Sequence, residues 1–336
     1  MLLAGQINQS LNSTAQTCFS VRFKNVTLTS TPDRNGPFSI MKHSFIIASL
    51  LLVSSVSALA QMPNDAIYMP KKTICVAGIY GHSNWNWYWE NTLKRENYNI
   101  GTQTTQSLSI MPAIGLSNRV NLILNLPYVW TSTSKGNLMG QEGFQDISGW
   151  LKVNVFEYKG FSVHGIAGVS TPLTNYVPSF MPMSIGMGAR SVMGRVLLNY
   201  KHPKTGLYLT AHGSYIRRST IRIDADAYQA DGRVYNSNEV AVPNATDVAA
   251  RVGILRQKFQ TEVFVEQFDC TSGDNIRRND MPFPTNNMRA TTVGWYGKYQ
   301  PRNIGVNARA GHVTNGLNMG QSTSFMLGVL YQINFK

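Results

Sequence analysis

"TSFMLGVLYQINF", residues 323 to 335, decides the fold. Phe325, Leu327, Val329, Tyr331, Ile333 and Phe335 take alternate positions, with Ser324, Gly328, Gln332 and Asn334 between them. Successive side chains of a strand point to opposite faces, so this segment carries one apolar face and one polar or small face. A soluble sandwich would set charge on its outer face, not rows of Leu, Val, Phe and Tyr. The segment therefore predicts a strand that crosses a membrane.

The same period recurs along the chain. In "VNLILNLPYVW" (120–130), Val120, Leu122, Leu124, Leu126, Tyr128 and Trp130 share one face and Asn121 and Asn125 the other. In "FQTEVFVEQF" (259–268), Phe259, Thr261, Val263 and Val265 oppose Gln260, Glu262 and Glu266. The full pattern predicts strands near 85–95, 102–115, 119–133, 145–156, 161–173, 187–201, 207–222, 247–256, 259–270, 289–300, 303–314 and 322–335. That makes about twelve, an even number as in bacterial outer-membrane barrels. Short turns at 116–119, 157–160, 201–206, 256–258 and 300–303 alternate with longer polar loops, the longest near 223–246 and 271–288. Short turns face the periplasm in such barrels, so both ends of the barrel are expected there. The expected fold class is all-β: a transmembrane antiparallel up-and-down β-barrel of about twelve strands, preceded by a cleaved signal peptide.

That signal is "MKHSFIIASLLLVSSVSALAQ" (41–61): Lys42 supplies positive charge, Phe45 to Val53 the apolar stretch, and Ala58 and Ala60 a small-residue cleavage site before Gln61. Its place implies a true start at Met41, with residues 1–40 a non-native, disordered upstream extension. Residues 61–84 are then a periplasmic lead-in, a partial plug or part of an elongated first strand, and 85–336 the barrel. Removing residues 1–60 takes away four basic residues and one acidic one, so the formal charge falls from +13 to +10. The basic residues are scattered and no nucleic-acid motif is present, so nucleic acid is not an expected partner. Charged residues form only 14% of the chain, against about a quarter in soluble domains. Cys75 and Cys270 are expected near opposite ends of the barrel, too far apart for a disulfide.

Two motifs bear on the wall and its assembly. "NWNWYWE" sets Trp85, Trp87 and Trp89 on one strand face, which with Tyr128 and Trp130 reads as an aromatic girdle at the membrane interface or, alternatively, as a stacking site. "GVLYQINF" (328–335), with Gly328, Tyr331, Ile333 and Phe335, resembles the C-terminal signal read by the outer-membrane assembly machinery, although Lys336 follows the Phe.

"GLSNRVNLILNLPYVW" (115–130) and "GFQDISGWLKVNVF" (143–156) resemble the paired hairpin of the outer-membrane proteins in the meta-pathway of phenol degradation family. The matching residues are Gly115, Arg119, Pro127 and Tyr128, then Gly143, Asp146 and Lys152. The resemblance implies a barrel that moves small hydrophobic molecules across the outer membrane.

On this register Lys152, His164, Arg195, His212, Arg251, Glu262, Glu266 and Arg309 face the lumen. Charges in such a place must be hydrated or paired. They form either a network that closes a narrow barrel or a basic constriction that selects anionic or polar solutes. Transport predicts a continuous lumen; an adhesin or antigen predicts a blocked lumen under ordered loops. A hydrolase is the third reading. Ser162 with His164, and His212 with Ser214, are same-face pairs, but both point inward, away from lipid; His312 with Asp269 or Asp274 is an alternative at the rim. The expectation is a non-enzymatic pore or transporter, with outer-membrane lipid, the assembly machinery and a small solute as partners. No motif calls for a cofactor or metal.

Overall fold

The computed structural model describes residues 62–278 and 280–335. The signal peptide at 41–60, the cleavage residues Ala58, Ala60 and Gln61, and the upstream segment 1–40 lie outside the described residues. Twelve strands form the wall: β1 (Thr73–Trp85), β2 (Gln103–Ser117), β3 (Val120–Thr133), β4 (Asp146–Tyr158), β5 (Phe161–Pro172), β6 (Ser191–Lys201), β7 (Leu207–Arg218), β8 (Ala245–Leu255), β9 (Phe259–Cys270), β10 (Arg289–Tyr299), β11 (Ile304–Leu317) and β12 (Thr323–Asn334). Each pairs antiparallel with its sequence neighbour, and β1 also pairs with β12 from Thr73↔Asn334 to Asn84↔Thr323. The sheet is a closed antiparallel barrel, which leaves no unpaired edge. No helix occurs among the described residues.

The period-2 reading holds around the wall. Phe325, Leu327, Val329, Tyr331, Ile333 and Phe335 are exposed on the outside, while Leu330 and Gln332 are buried inside. Leu108, Ile110, Val192, Val196, Val263 and Val265 continue the outer apolar surface around the barrel. Between β4 and β5, Lys159 and Gly160 both adopt positive φ (46° and 87°), the turn whose twist matches that of the strands it joins. A side chain at Gly160 would strike the carbonyl oxygen of Lys201 on β6.

One strand differs from the sequence reading. The first wall strand is Thr73–Trp85, not 85–95, so the barrel begins twelve residues earlier and takes in the second half of the 61–84 segment. Cys75, Ala77 and Ile79 point inward, while Gly78 and Tyr80 point outward. Gly78 breaks the outer apolar row, so the tryptophans further on gave the stronger period. Those tryptophans are not a wall stripe. Trp85 ends β1, and Trp87 and Trp89 sit in a hairpin, Trp87–Glu90 with Leu93–Glu96, where Trp89 packs against Ala290 and Val313. The girdle here is Tyr80, Tyr128, Trp130 and Phe144, with Tyr128 edge-on to Phe144 at 5.3 Å and 6.3 Å from Trp130. Cys75 and Cys270 are both free, as their placement required.

The long-loop end has a small core of its own. Ile221–Arg222 pairs with Glu239–Val240 and Tyr228–Ala230 with Arg233–Tyr235. Ala189, Ile221, Ile223, Val240 and Val242 bury against one another, with Tyr228 and Phe283 packed on top. Tyr228 stacks between Tyr235 (5.1 Å) and Phe283 (5.5 Å), joining the loops after β7 and β9.

Candidate functional site

Residues 62–72 precede β1 and run inside the barrel. At the short-turn end the segment is rooted in the sheet: the Lys72 N–H donates to Gly115 on β2, and Phe335 donates its N–H to the Lys72 carbonyl. Gly115 has no side chain where the Pro70 carbonyl passes; a Cβ there would collide with it. From that root the chain climbs until Asp65 reaches the middle of the lumen.

Of the wall residues expected to face inward, Lys152, His164, Arg195 and Arg251 contact this segment, while His212, Glu262, Glu266 and Arg309 are linked to them through wall partners. The Lys152 side chain is fully buried, and its Nζ donates to Asp65 Oδ1 at 2.7 Å, Ile67 O at 2.9 Å and Met62 O at 3.2 Å. Its cation also lies 4.9 Å from the centre of the Tyr68 ring. Every one of these partners belongs to residues 62–68. Arg195 donates to Asp247 at 2.6 Å, to Ser214 at 2.9 Å and to the Pro63 carbonyl at 3.4 Å. Arg251 binds Glu266 at 2.8 Å and the Asn64 carbonyl, and its buried Nε makes no hydrogen bond, with Glu262 Oε1 4.0 Å away. Arg309 shares Glu266 and covers Phe264 at 4.3 Å. Glu262 itself accepts from Tyr208, which in turn accepts from Gln260 at 3.0 Å.

The two histidines anchor the flanks. His164 hydrogen-bonds Tyr68 Oη at 3.0 Å through Nδ1 and Ser162 at 2.9 Å through Nε2, with its ring stacked on Tyr68. Burial, with the negative charge of Asp65 beside it, raises the Tyr68 phenol above its ordinary range, so it stays a neutral hydroxyl. His212 Nε2 lies 3.3 Å from Asp247, the carboxylate that also holds Arg195. Ser162 and His164 are buried in the lumen and Ser214 bonds Asp247 directly, so neither Ser–His pair faces lipid. His312 contacts Thr323 and Gln321, while Asp269 holds Arg289 and Asp274 accepts from Asp231 and Asn286.

Four basic side chains (Lys152, Arg195, Arg251, Arg309) thus meet three acidic ones from the wall (Asp247, Glu262, Glu266), and Asp65 brings the fourth acid. Lys298, also buried, adds a further inward cation. Buried ions of this kind are tolerable only when paired and hydrogen-bonded, which explains why the segment carries a carboxylate at this height. The lumen face of β12, β1, β2 and β3 carries an apolar patch, where Met69 packs with Cys75, Ala77, Ile79, Met111, Ala113, Ile123 and Leu330, while Ala66 packs against Ile166, Met193 and Leu197 beside Arg195. On the short-turn side of the segment a cavity of about 450 Å³ is lined by Asp65, Ile67, Tyr68, His164, Tyr208, Arg251 and Glu262, among others.

Sequence reasoning found the basic residues with Glu262 and Glu266, and missed Asp65, Tyr68 and Asp247, which meet the cations, and Tyr208, which donates to Glu262. Asp65 carried a signal, being the one acidic residue between Gln61 and Asn84. Among the described residues no group of three His, Cys, Asp or Glu side chains is placed to hold a metal ion.

No family model matches the chain, and no curated protein does. Among solved structures the barrel is similar to an outer-membrane channel from Pseudomonas putida F1, at 12% identity over 82% of this chain and 100% of that one, with a TM-score of 0.59. The fold is that of a transmembrane β-barrel. At this identity the likeness is one of architecture alone. The KdgM porin in complex with oligogalacturonate (9% identity, 77% of this chain and 99% of that one, TM-score 0.43) and the translocator domain of the autotransporter NalP from Neisseria meningitidis (10%, 87% and 97%, 0.45) are looser matches and add no argument. Two residues that carry the resemblance drawn from the sequence, Gly115 and Lys152, are contact points of the inner segment.

Proposed function

We propose that the chain is exported by the signal at 41–60, assembles in the outer membrane of a Gram-negative cell through the 328–335 signal, and acts there as a passive pore or transporter for small molecules. Residues 62–72 are its plug, drawn in its closed position. The observation that carries this reading is that the buried Lys152 spends all its hydrogen bonds, and Arg195 and Arg251 one each, on the inner segment 62–68. A wall built only to be filled could have used apolar side chains, which pack at no desolvation cost. The apolar patch in the lumen, together with its basic side chains, supports solutes that are partly hydrophobic. It also gives the likeness to the phenol-degradation family a physical basis in residues rather than in motif alone. No part of this reading needs catalysis.

The test is single-channel conductance of the chain from Gln61 to Lys336 in a planar bilayer, beside Asp65→Ala/Tyr68→Ala and Arg195→Ala/Arg309→Ala variants. Rare openings in the parent, frequent ones in the plug variant and an altered ion preference in the arginine variant support the reading. A folded barrel silent in all three overturns it in favour of the second reading, a surface-binding barrel. That alternative has its own support in the loop core around Tyr228 and Phe283.

A further inference from the structure

We infer that the solute that opens this barrel is a small carboxylate with an apolar body, and that Asp65 occupies the position its carboxylate takes. The inference rests on the reading of the barrel as a solute pathway and concerns what releases the plug.

The argument is one of exchange. All the partners of the Lys152 ammonium lie on residues 62–68, so withdrawal of the plug strips a fully buried cation at one stroke. Withdrawal also removes carbonyl acceptors from Arg195 and Arg251. Asp247 and Glu266 stay with their arginines, and Glu262 stays with Tyr208 and Gln260, so the wall has no spare acid to move across. With water alone in place of the plug the ammonium gives up its ion pair, so an empty lumen disfavours release. A neutral or cationic solute leaves that cost in place. A carboxylate restores the charge balance that Asp65 provided, and the unused Arg251 Nε gives it a second donor. The cavity supplies a route: Asp65 and Arg251 both line it, beside Ile67, Tyr68 and Leu255, which suit an apolar body next to the carboxylate. Asp65 itself sits in the same setting, close to Ile67, Tyr68 and Met69.

A tethered competitor sets the concentration scale. A carboxylate held on a short chain acts at an effective concentration of about millimolar or more, so the free solute must reach that range before it displaces the plug. Opening should therefore rise with solute over roughly 1 to 100 mM.

Hexanoate and hexanamide, alike in shape and different in charge, are the probes. Plug position is read separately from current by maleimide labelling of an Ala66→Cys variant in a Cys75→Ala background, since Cys75 is buried against Met69 of the plug and would be bared with it, while Cys270 is buried elsewhere. In the otherwise native chain, hexanoate is expected to raise both labelling rate and open time roughly tenfold or more, while hexanamide raises neither. Asp65→Asn is expected to label and conduct without solute, and to gain less than about twofold from hexanoate. Equal responses to the amide and the acid overturn the inference, as does an Asp65→Asn chain that stays unlabelled, or a native plug that hexanoate leaves in place. A plug released by label but with no current leaves the latch intact and removes instead the reading of the barrel as a pore.

Discussion

The contact between Asp65 and Lys152 makes a prediction with an unusual sign. Asp65→Ala deletes the carboxylate that pairs with Lys152 Nζ at 2.7 Å and leaves that fully buried ammonium with two backbone carbonyls and one ring face. Removing one partner of a buried ion pair costs about 3 to 5 kcal/mol, whereas replacing both by apolar groups is often close to neutral. The same carboxylate accepts the N–H groups of Met62 (2.7 Å) and Ile67 (2.9 Å), so those two bonds are lost in either case, at about 1 kcal/mol each. Asp65→Ala should therefore favour the withdrawn plug by about 5 to 7 kcal/mol, roughly four to five orders of magnitude. Asp65→Ala/Lys152→Met should recover most of that loss. Lys152→Met alone should fall between them, because its unpaired carboxylate keeps both N–H donors. Amide hydrogen exchange of the 62–72 peptide in lipid nanodiscs reads this directly, since exchange there follows the population of the open form. The expected order of exchange rates is Asp65→Ala fastest, then Lys152→Met, then the double variant. A double variant that exchanges as fast as Asp65→Ala would refute the argument, because the dominant cost would then not be the stranded ammonium.

Three further outcomes are expected. Glu266→Gln removes the carboxylate shared by Arg251 and Arg309; in a plug-released background the pore should shift toward anions by roughly two- to tenfold in permeability ratio, measured as a reversal potential under a salt gradient. Gly160→Val forces a β-branched residue into φ of 87° against the Lys201 carbonyl; it should cost about 2 to 3 kcal/mol and lower the urea midpoint for refolding into detergent, while Lys159→Gly should not. Tyr228→Ala removes the ring stacked between Tyr235 and Phe283; limited proteolysis within 219–244 should quicken severalfold with the heat-resistant barrel band unchanged.

The wall was legible from sequence for a physical reason. Lipid contacts one face of every strand, so Val120 to Trp130 or Phe325 to Phe335 declare their outer side without any knowledge of their neighbours. Where the outer row is broken, the reading slipped. Gly78 and Gly81 weaken the period of β1, and the regular tryptophans at 85, 87 and 89 drew the strand twelve residues too far along. The inward direction of Lys152, Arg195 and Arg251 followed from the same alternation, but their partners did not. Asp65 lies 87 positions from Lys152 and meets it only because the chain turns back through the lumen, and no local period records such a turn.

The plug is the direct continuation of β1, and β1 is the strand that meets β12 to close the cylinder. At that seam the Lys72 carbonyl takes the N–H of Phe335, the residue that follows the final strand. Closing the wall and rooting the plug thus share a contact: without the C-terminal strand, the inner segment lacks one of the bonds that fix its base. The closed wall therefore carries the root of its own stopper within its seam.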